Sequence, residues 1–280
     1  MEILSIPALR NPRMICAFGG WNDAGESATN ALAHLLSMWT HTLIAELDSE
    51  DFYDYQVNRP MVSLDAKSER LITWPSTKIF AVPTAHLPFD LVIVQGVEPS
   101  MRWKSFAHEI MDLADDLDIS LFLTLGGLLA DTPHSRPITI SATGTNQEIS
   151  KRLNVEVSRY EGPTGILGVL QDCAMKRGID AISLWAPVPH YASASPSPKA
   201  TLALINAIED TLAIAIPLGA LPDESSSWQL SIDELTKEDS DIADYVRQLE
   251  ESKDETELPQ ATGDSIAREF EKYLRRQNEE

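Results

Sequence analysis

The sequence predicts an α/β protein with a mostly parallel sheet that helices cover on both faces, in three layers. Short, continuously apolar runs alternate with segments of helical periodicity, and such runs are typical of strands buried on both faces. The length of 280 residues and the hydrophobic content of 43% are sufficient for a large buried core.

Ten segments carry this pattern. The predicted strands are residues 14–18, 42–47, 78–82, 91–96, 120–127 and 180–186. The predicted helices are residues 26–39, 102–117, 165–178 and 197–216. Residues 53–73 fit neither pattern, so they are predicted to be either a β-excursion or a long loop.

The charge pattern divides the chain near residue 221. Residues 221–280 hold 18 Asp and Glu but 7 Lys and Arg, and "PDESSS" at 222–227 has the composition of a linker. We therefore predict an α/β domain over residues 1–221 and an acidic helical extension over 222–280. Its clearest helix is predicted at 263–277. Short charged helices are not stable alone, so they should dock on the α/β body or on a partner.

Composition excludes several classes of protein. The net charge of −21 argues against nucleic acids and anionic membranes as partners, because both select Lys and Arg clusters. Cys16 and Cys173 are too few and too far apart for a disulfide framework or a zinc ribbon. The sequence shows no signal peptide and no uninterrupted apolar run of membrane-spanning length, so the expected location is the cytoplasm.

The stretch "CAFGGWNDAGESA" at 16–28 joins a predicted strand to a predicted helix. Its spacing from Gly20 to Gly25 matches a phosphate-binding loop, but Glu26 stands where that loop has Lys. A dinucleotide fingerprint fails as well, because Asn22 takes the place of its middle glycine. Nucleotide binding by this loop is therefore not expected.

A strand-to-helix bend is the simpler interpretation of this stretch. Asp23 has the character of an N-cap, and Glu26 three residues later completes a pattern like a capping box. A second interpretation stays open, in which the bend also presents Trp21 and Asn22 to a cleft or a partner.

Similar polar or glycine-rich clusters follow other predicted strands, at 97–103, 126–137 and 185–191. In open α/β sheets, ligands bind outside the carboxyl ends of the strands, so these side chains could converge there. The candidates for a ligand or partner cleft are Trp21, Asn22, Asp23, Glu98, Arg102, Trp103, His134, Arg136, Thr164, Gly165, His190 and Tyr191. Each also has a structural explanation: loop histidines bonded to backbone, an ion-paired arginine, or a glycine-rich helix start whose amides could hold an anion.

No catalytic motif is present. There is no G-x-S-x-G elbow, "HEIMD" at 108–112 is not H-E-x-x-H, and no His, Cys and Asp residues have metal-ligand spacing. We therefore predict no catalytic residue, no metal and no cofactor, although a Ser/His/Asp set assembled in space stays open.

Five motifs in order, "AFGGWNDAG", "GVEPSMRW", "LGGLLADTPHSRP", "YEGPTGILGVL" and "LWAPVPHYASASPSPKA", resemble the PAC2 family in its actinobacterial form. These proteins are related to proteasome assembly chaperones. The resemblance covers about residues 3–217, and "LPQATGDSIAREFEKYLRR" is similar to the C-terminal part of such members.

The resemblance implies a phosphorylase/hydrolase-like α/β fold, a helical C-terminal extension and self-association, as a homotrimer. Eukaryotic and archaeal relatives help to assemble proteasome α-rings and have no enzymatic activity, which makes proteasome subunits candidate partners here. Some end in a hydrophobic–Tyr–any-residue tail that enters α-ring pockets. This sequence ends "RRQNEE", and Tyr273 is seven residues from the end with no such tail after it, so that mode of insertion is not expected.

Three functions follow. The favoured one is a non-catalytic protein-binding protein of the assembly-chaperone kind, whose acidic tail sets charge complementarity. The second is a hydrolase or phosphorylase-like enzyme, in which His134 or His190 is the general acid/base and Arg136 binds an anion. The third is a small-ligand sensor that uses the same crevice.

Overall fold

The computed structural model describes residues 1–145, 147–153 and 155–257. The chain divides into two compact units: residues 1–23, 32–126 and 142–184 form unit 1, and residues 24–31, 127–141 and 185 onward form unit 2. The helix predicted at 263–277 and Tyr273 lie outside the described residues. The division into domains at residue 221 stays a prediction.

Eleven strands are formed by the described residues. They are β1 (Glu2–Ile3), β2 (Arg13–Gly19), β3 (Thr42–Leu47), β4 (Met61–Leu64), β5 (Arg70–Thr73), β6 (Thr77–Val82), β7 (Leu91–Val97), β8 (Leu121–Ala130), β9 (Ser141–Gly144), β10 (Glu156–Val157) and β11 (Ala181–Pro189). Nine of them build one sheet in the order β1-β3-β6-β7-β2-β8-β11-β9-β10, and β4 and β5 form a separate hairpin. All six predicted strands are present.

The sheet confirms the predicted α/β class. At its centre, β2 runs parallel to both β7 and β8. The pairs β6–β7, β3–β6 and β1–β3 are antiparallel and lie towards one edge. The connection between β6 and β7, residues 83–90, is too short for a crossover helix, so these two neighbours must run in opposite directions.

The described helices are α1 (Ser27–Met38), α2 (Ser49–Phe52), α3 (Trp103–Asp116), α4 (Gln147–Leu153), α5 (Ile166–Lys176), α6 (Pro198–Leu212), α7 (Leu221–Glu238) and α8 (Ser240–Glu257). The four predicted helices correspond to α1, α3, α5 and α6. Among the residues that the structure describes, no helix is long and apolar enough to cross a membrane.

The core of unit 1 lies between the sheet and its helices, and α3 packs against α5. Phe18 of β2, Phe52 of α2 and Phe106 of α3 are fully buried. The ring of Phe106 meets the other two edge-to-face, with centroids 5.6 Å from Phe18 and 5.3 Å from Phe52. Cys16 and Cys173 are unpaired thiols, and burial raises the pKa of Cys16.

In unit 2, α6 packs against α7, and α7 packs against α8. The buried face of α6 carries Leu204, Ile205, Ile208 and Leu212. The linker predicted at 222–227 is wrong, because these residues form the first turns of α7. Pro222, Asp223 and Glu224 lie in the first turn, where proline and acidic side chains both favour a helix start.

The hairpin of β4 and β5 resolves residues 53–73 as a β-excursion. Its strands pair from Met61 opposite Thr73 to Leu64 opposite Arg70. The Asp65 carboxylate orders the turn, because its Oδ1 accepts hydrogen bonds from the backbone N–H groups of Lys67 and Glu69, both at 2.8 Å.

Asp90 anchors the start of β7 in unit 1. Its carboxylate accepts hydrogen bonds from the Arg10 backbone at 2.8 Å, the Arg10 guanidinium at 2.7 Å and the Thr84 backbone at 2.9 Å. Burial raises the pKa of Asp90, but these hydrogen bonds outweigh burial and hold its pKa below the ordinary value.

We expect Asp90→Asn to lower the free energy of unfolding at pH 7 by about 2 kcal/mol, because hydrogen bonds to a charged group are lost. Because the pKa of Asp90 is lower in the folded protein than in the unfolded chain, the ionised carboxylate stabilises the fold at pH values above the unfolded pKa of about 3.9. This stability is lost as the pH falls through the lower pKa of the folded protein. In urea unfolding, the difference in unfolding free energy between wild type and Asp90→Asn should therefore become smaller below about pH 4. The exposed Asp116→Asn is the control, and an equal loss in both variants would contradict this role.

Candidate functional site

The candidate residues fall in both units. Unit 1 holds Trp21, Asn22, Asp23, Glu98, Arg102, Trp103, Thr164 and Gly165, and unit 2 holds His134, Arg136, His190 and Tyr191. Each group has its own network of contacts.

The bend after β2 contains a 3₁₀ turn that the sequence did not predict. Gly20 has φ +126°, and the Asp23 N–H donates to the Gly20 carbonyl at 3.1 Å. A 3₁₀ turn, Ala24–Glu26, then precedes α1, which begins at Ser27. Asp23, which was predicted as the N-cap of the helix, therefore precedes the 3₁₀ turn and not α1.

Asn22 and Glu98 meet at the carboxyl ends of β2 and β7. These ends are neighbours in the sheet, and the Glu98 N–H donates to the Gly19 carbonyl at 2.8 Å. The Asn22 side chain is buried, and its Nδ2 donates to Glu98 Oε1 at 2.5 Å. The same carboxylate oxygen accepts the backbone N–H of Ile166 at 2.9 Å, at the first residue of α5.

Glu98 therefore supplies an anion to the N-terminus of α5. A negative charge is favourable there because the helix dipole and the free N–H groups both attract it. The sequence also allowed the backbone amides of residues 162–168 to hold an external anion. One of these amides, the Ile166 N–H, instead donates to Glu98. Thr164 next to them is exposed.

Gly165 is required by the close approach of Asn22. A Cβ at Gly165 would lie 2.3 Å from Asn22 Oδ1 and 2.5 Å from Nδ2, which no side-chain carbon tolerates. Residues Asn22, Glu98, Gly165 and Ile166 thus form one packed contact, which we call the bend–helix junction.

The other candidates of unit 1 serve local structure. The Arg102 guanidinium pairs with Asp51 and lies over the Phe52 ring, 5.7 Å from its centroid. Trp103 Nε1 donates to the Pro99 carbonyl at 2.6 Å, which ties the start of α3 to the preceding turn. Trp21 is 73% exposed, so the bend presents an aromatic ring to solvent.

In unit 2, His134 lies buried between a tyrosine and an acid. Its Nδ1 is 2.8 Å from the Tyr191 hydroxyl, and its Nε2 is 2.9 Å from Asp233 Oδ1 on α7. The Tyr191 oxygen accepts the His134 backbone N–H at 2.7 Å, so the hydroxyl hydrogen is free to point at Nδ1 and the ring proton then lies on Nε2. Burial raises the pKa of Tyr191 to about 12, which keeps the hydroxyl protonated.

Lys199 of α6 reinforces the same contact. Its ammonium group donates to the His134 carbonyl and, at 2.6 Å, to Gln229 Oε1 on α7. Burial lowers the pKa of Lys199 to about 8. We call the group of His134, Tyr191, Lys199, Gln229 and Asp233 the His134 cluster.

Arg136 binds α8. Its guanidinium forms two parallel hydrogen bonds to the Asp254 carboxylate, both at 2.7 Å, and a third contact to Glu250 at 3.3 Å. Ser135 also donates to Glu250. A bidentate pair of this geometry is the strong form of an ion pair.

His190 lies beside the same helix. Its Nδ1 is 3.2 Å from Asp131, whose carboxylate also accepts the Tyr245 hydroxyl of α8 at 2.9 Å. The rings of His190 and Tyr245 meet edge-to-face, 5.4 Å apart.

These contacts give His134 and Arg136 partners within unit 2. Both ring nitrogens of His134 face partners, and the Arg136 guanidinium is engaged by two carboxylates. Within the described residues, no group of His, Cys, Asp and Glu side chains could hold a metal ion. The arrangement instead attaches α7 and α8 to the segment from Asp131 to Arg136.

The sequence did not single out the acids that complete this arrangement, Asp233, Glu250 and Asp254. They lie among many acidic residues of similar spacing, and only the positions of α7 and α8 distinguish them.

We expect Tyr191→Phe to lower the free energy of unfolding by about 1–2 kcal/mol, because the His134 backbone N–H and ring Nδ1 lose their partner in a buried place. Tyr245→Phe is the matched control, since it removes a hydroxyl bonded to the exposed Asp131. Urea unfolding measures the loss of unfolding free energy in each of the two variants. A larger loss for Tyr245→Phe would contradict the importance of the His134 cluster.

Fold and site together describe an α/β protein whose motif side chains bind one another in local networks. The sequence model of the PAC2 family matches residues 17–236. The chain belongs to the PAC2 family. Among curated proteins, none matches it at a significant level.

Solved structures agree with this assignment. A PAC2 family protein from Streptomyces avermitilis is 48% identical, with a TM-score of 0.79 over 84% of this chain and 99% of that one. A proteasome-assembly chaperone homologue from Mycobacterium tuberculosis is 42% identical, with a TM-score of 0.76 over 83% of this chain and 99% of that one. An archaeal proteasome activator from Pyrococcus furiosus shares the fold at 20% identity, with a TM-score of 0.67 over 83% and 96% of the two chains.

Proposed function

We propose that this chain is a non-catalytic, assembly-chaperone-like protein that binds protein subunits related to the proteasome and self-associates as a homotrimer in the cytoplasm. The observation that carries the proposal is the 42% identity to the Mycobacterium tuberculosis proteasome-assembly chaperone homologue, over 99% of that chain. The resemblance of the five motifs to the family agrees with it.

The geometry of the candidate residues supports the non-catalytic part. A general acid or base must be able to reach a proton of the substrate. His134 is 2% exposed between Tyr191 and Asp233, and Arg136 is paired with Asp254 and Glu250, which supports structural roles for both.

Charge supports a role in reversible binding. A net charge of −21 steers a partner with a basic surface and raises the rate of encounter. We therefore expect binding to weaken as the salt concentration rises, because salt screens exposed charges.

Co-expression of the tagged full chain with proteasome α-subunits tests the proposal. We expect a stoichiometric complex in size-exclusion chromatography with light scattering, and a dissociation constant that rises with salt. The chain alone should have three times the mass of the 31.0 kDa protomer. Absence of a complex with every α-subunit supplied would overturn the proposed partner. Specific turnover of a nucleoside or ester that His134→Ala abolishes would overturn the non-catalytic role.

A further inference from the structure

Helices α7 and α8 of unit 2 are joined by a single residue, Asp239. Its backbone is extended, with φ −120° and ψ 110°. Its Oδ1 accepts the backbone N–H groups of Asp241 at 3.0 Å and Ile242 at 3.2 Å, as an N-cap does. The sequence from 223 to 257 contains neither Gly nor Pro, so no residue in it forbids one continuous helix. The Asp239 cap therefore favours the bend between α7 and α8.

One apolar seam runs through both helices. Its positions follow one another at alternating intervals of four and three residues, which is the spacing of a heptad repeat. They are Leu221, Ser225, Trp228, Ile232, Leu235, Asp239, Ile242, Val246 and Leu249. The spacing does not change at the bend, so a straightened α7–α8 helix carries all of these side chains along one side.

The bend interrupts the burial of this seam at Leu235. Leu221 and Ser225 are buried near the start of α7, and Val246 is buried in α8. Leu235 is the last apolar seam residue before the bend, and it is 61% exposed. Its position thus belongs to the seam, but the bent arrangement leaves its side chain in solvent.

Helix α7 is fixed to its own copy, whereas the contacts of α8 do not depend on which copy supplies the helix. The His134 cluster binds α7 through Gln229 and Asp233. Helix α8 docks on the segment that contains Arg136, which makes two hydrogen bonds of 2.7 Å to Asp254. The same segment of a second copy offers the same donors, so an exchange of α8 breaks and remakes identical contacts.

We propose that the α7–α8 helix straightens at Asp239 and that α8 of one copy docks on Ser135 and Arg136 of the next copy. A short hinge between two docked elements favours such an exchange. The contact joins two different surfaces, so successive copies form a ring, and a ring of three is the homotrimer proposed above. Leu235 then lies where two copies meet. The exchange rests on the proposed self-association, and α8 is the segment that carries it.

Cross-linking between two different chains tests the exchange. One chain carries Ser135→Cys and the other Glu250→Cys, since these two side chains are hydrogen-bonded. Both chains also carry Cys173→Ser and keep the buried Cys16. Neither substitution removes the bonds between Arg136 and Asp254, so α8 keeps its main contact.

The two chains are co-expressed with different tags and treated with a short bismaleimide. We expect a 1:1 cross-linked dimer on a denaturing gel, which neither chain gives alone. A chain that carries both cysteines provides the comparison, because without exchange it is cross-linked only within itself. A cross-link that forms in this chain but never between the two single variants would overturn the exchange.

Leu235→Ser tests the seam against a matched control. Leu230 of the same helix is 63% exposed, much like Leu235, but it lies off the seam. We expect Leu235→Ser to weaken self-association about tenfold in sedimentation velocity, as loss of a central apolar contact does. Leu230→Ser should leave it unchanged, and equal effects of the two substitutions would contradict the seam. Unchanged melting temperatures exclude unfolding as the cause.

Asp239→Ala tests the bend in the opposite direction. It removes the cap that holds α8 at an angle to α7, and alanine favours a continuous helix. We expect self-association to strengthen about fivefold, the effect on an equilibrium of losing one N-cap. Asp241→Ala, which removes a neighbouring exposed acid, is the control. Weaker association of Asp239→Ala would contradict straightening at this residue.

The failure of the exchange and the failure of the proposed function give different results. A wild-type chain that is monomeric at every concentration overturns self-association and exchange together. A wild-type oligomer in which the two single-cysteine chains are never cross-linked overturns only the exchange. An oligomer with this cross-link that binds no proteasome α-subunit overturns only the proposed partner.

Discussion

The Glu98→Ala variant is expected to lose about 3 kcal/mol of unfolding free energy, because two donors lose one shared acceptor. Glu98 Oε1 accepts both Asn22 Nδ2 and the Ile166 N–H, and Asn22 is 1% exposed, so its amide loses its partner in a buried place. The loss of a negative charge at the N-terminus of α5 adds to the effect. Urea unfolding measures the change.

Two variants make this prediction specific. Glu98→Gln keeps one acceptor oxygen and should lose less than Glu98→Ala. Glu161→Ala removes an exposed carboxylate and should change the free energy of unfolding by no more than about 0.5 kcal/mol. Equal stability of Glu98→Ala and Glu161→Ala would show that the bend–helix junction does not depend on this carboxylate.

Phe106→Ala is expected to cost about 3–5 kcal/mol, the range of a buried phenylalanine that is truncated to alanine. The ring is fully buried and touches both Phe18 and Phe52 edge-to-face. Its loss leaves a cavity beside β2, the strand that leads into the bend–helix junction. Thermal and urea unfolding measure the loss.

Phe106→Leu provides the graded comparison, because it retains most of the volume and should cost less than about 1.5 kcal/mol. The two variants separate the volume of the ring from its apolar character. A loss as large in Phe106→Leu as in Phe106→Ala would contradict the cavity explanation.

Much of the fold is predictable from apolar patterning. Each long strand, such as β2 or β7, is a continuously apolar run, and each long helix, such as α3, has apolar residues at helical spacing. Short elements were missed because β1, β10 and α2 hold too few residues to show a period. The antiparallel edge of the sheet was missed because an apolar run does not reveal the direction of its neighbour.

The candidate site was predictable only in part. The expectation that Asn22 and Glu98 would meet follows from strand ends at one edge of a sheet, and the two side chains are in contact. For His134 and Arg136, the partners lie on α7 and α8, about a hundred residues later. Sequence spacing does not connect such residues, and the many acids of these helices offer no means of choosing Asp233 or Asp254.

The attachment of α8 has a consequence for local stability. Among its described side chains, Val246 alone is both buried and apolar, while ion pairs and hydrogen bonds join α8 to the segment of residues 131–139. These bonds are numerous, but breaking them exposes little apolar surface to water. The amide hydrogens of α8 should therefore exchange with deuterium well before those of β2, and faster still in concentrated salt, so that this helix detaches while the sheet stays folded.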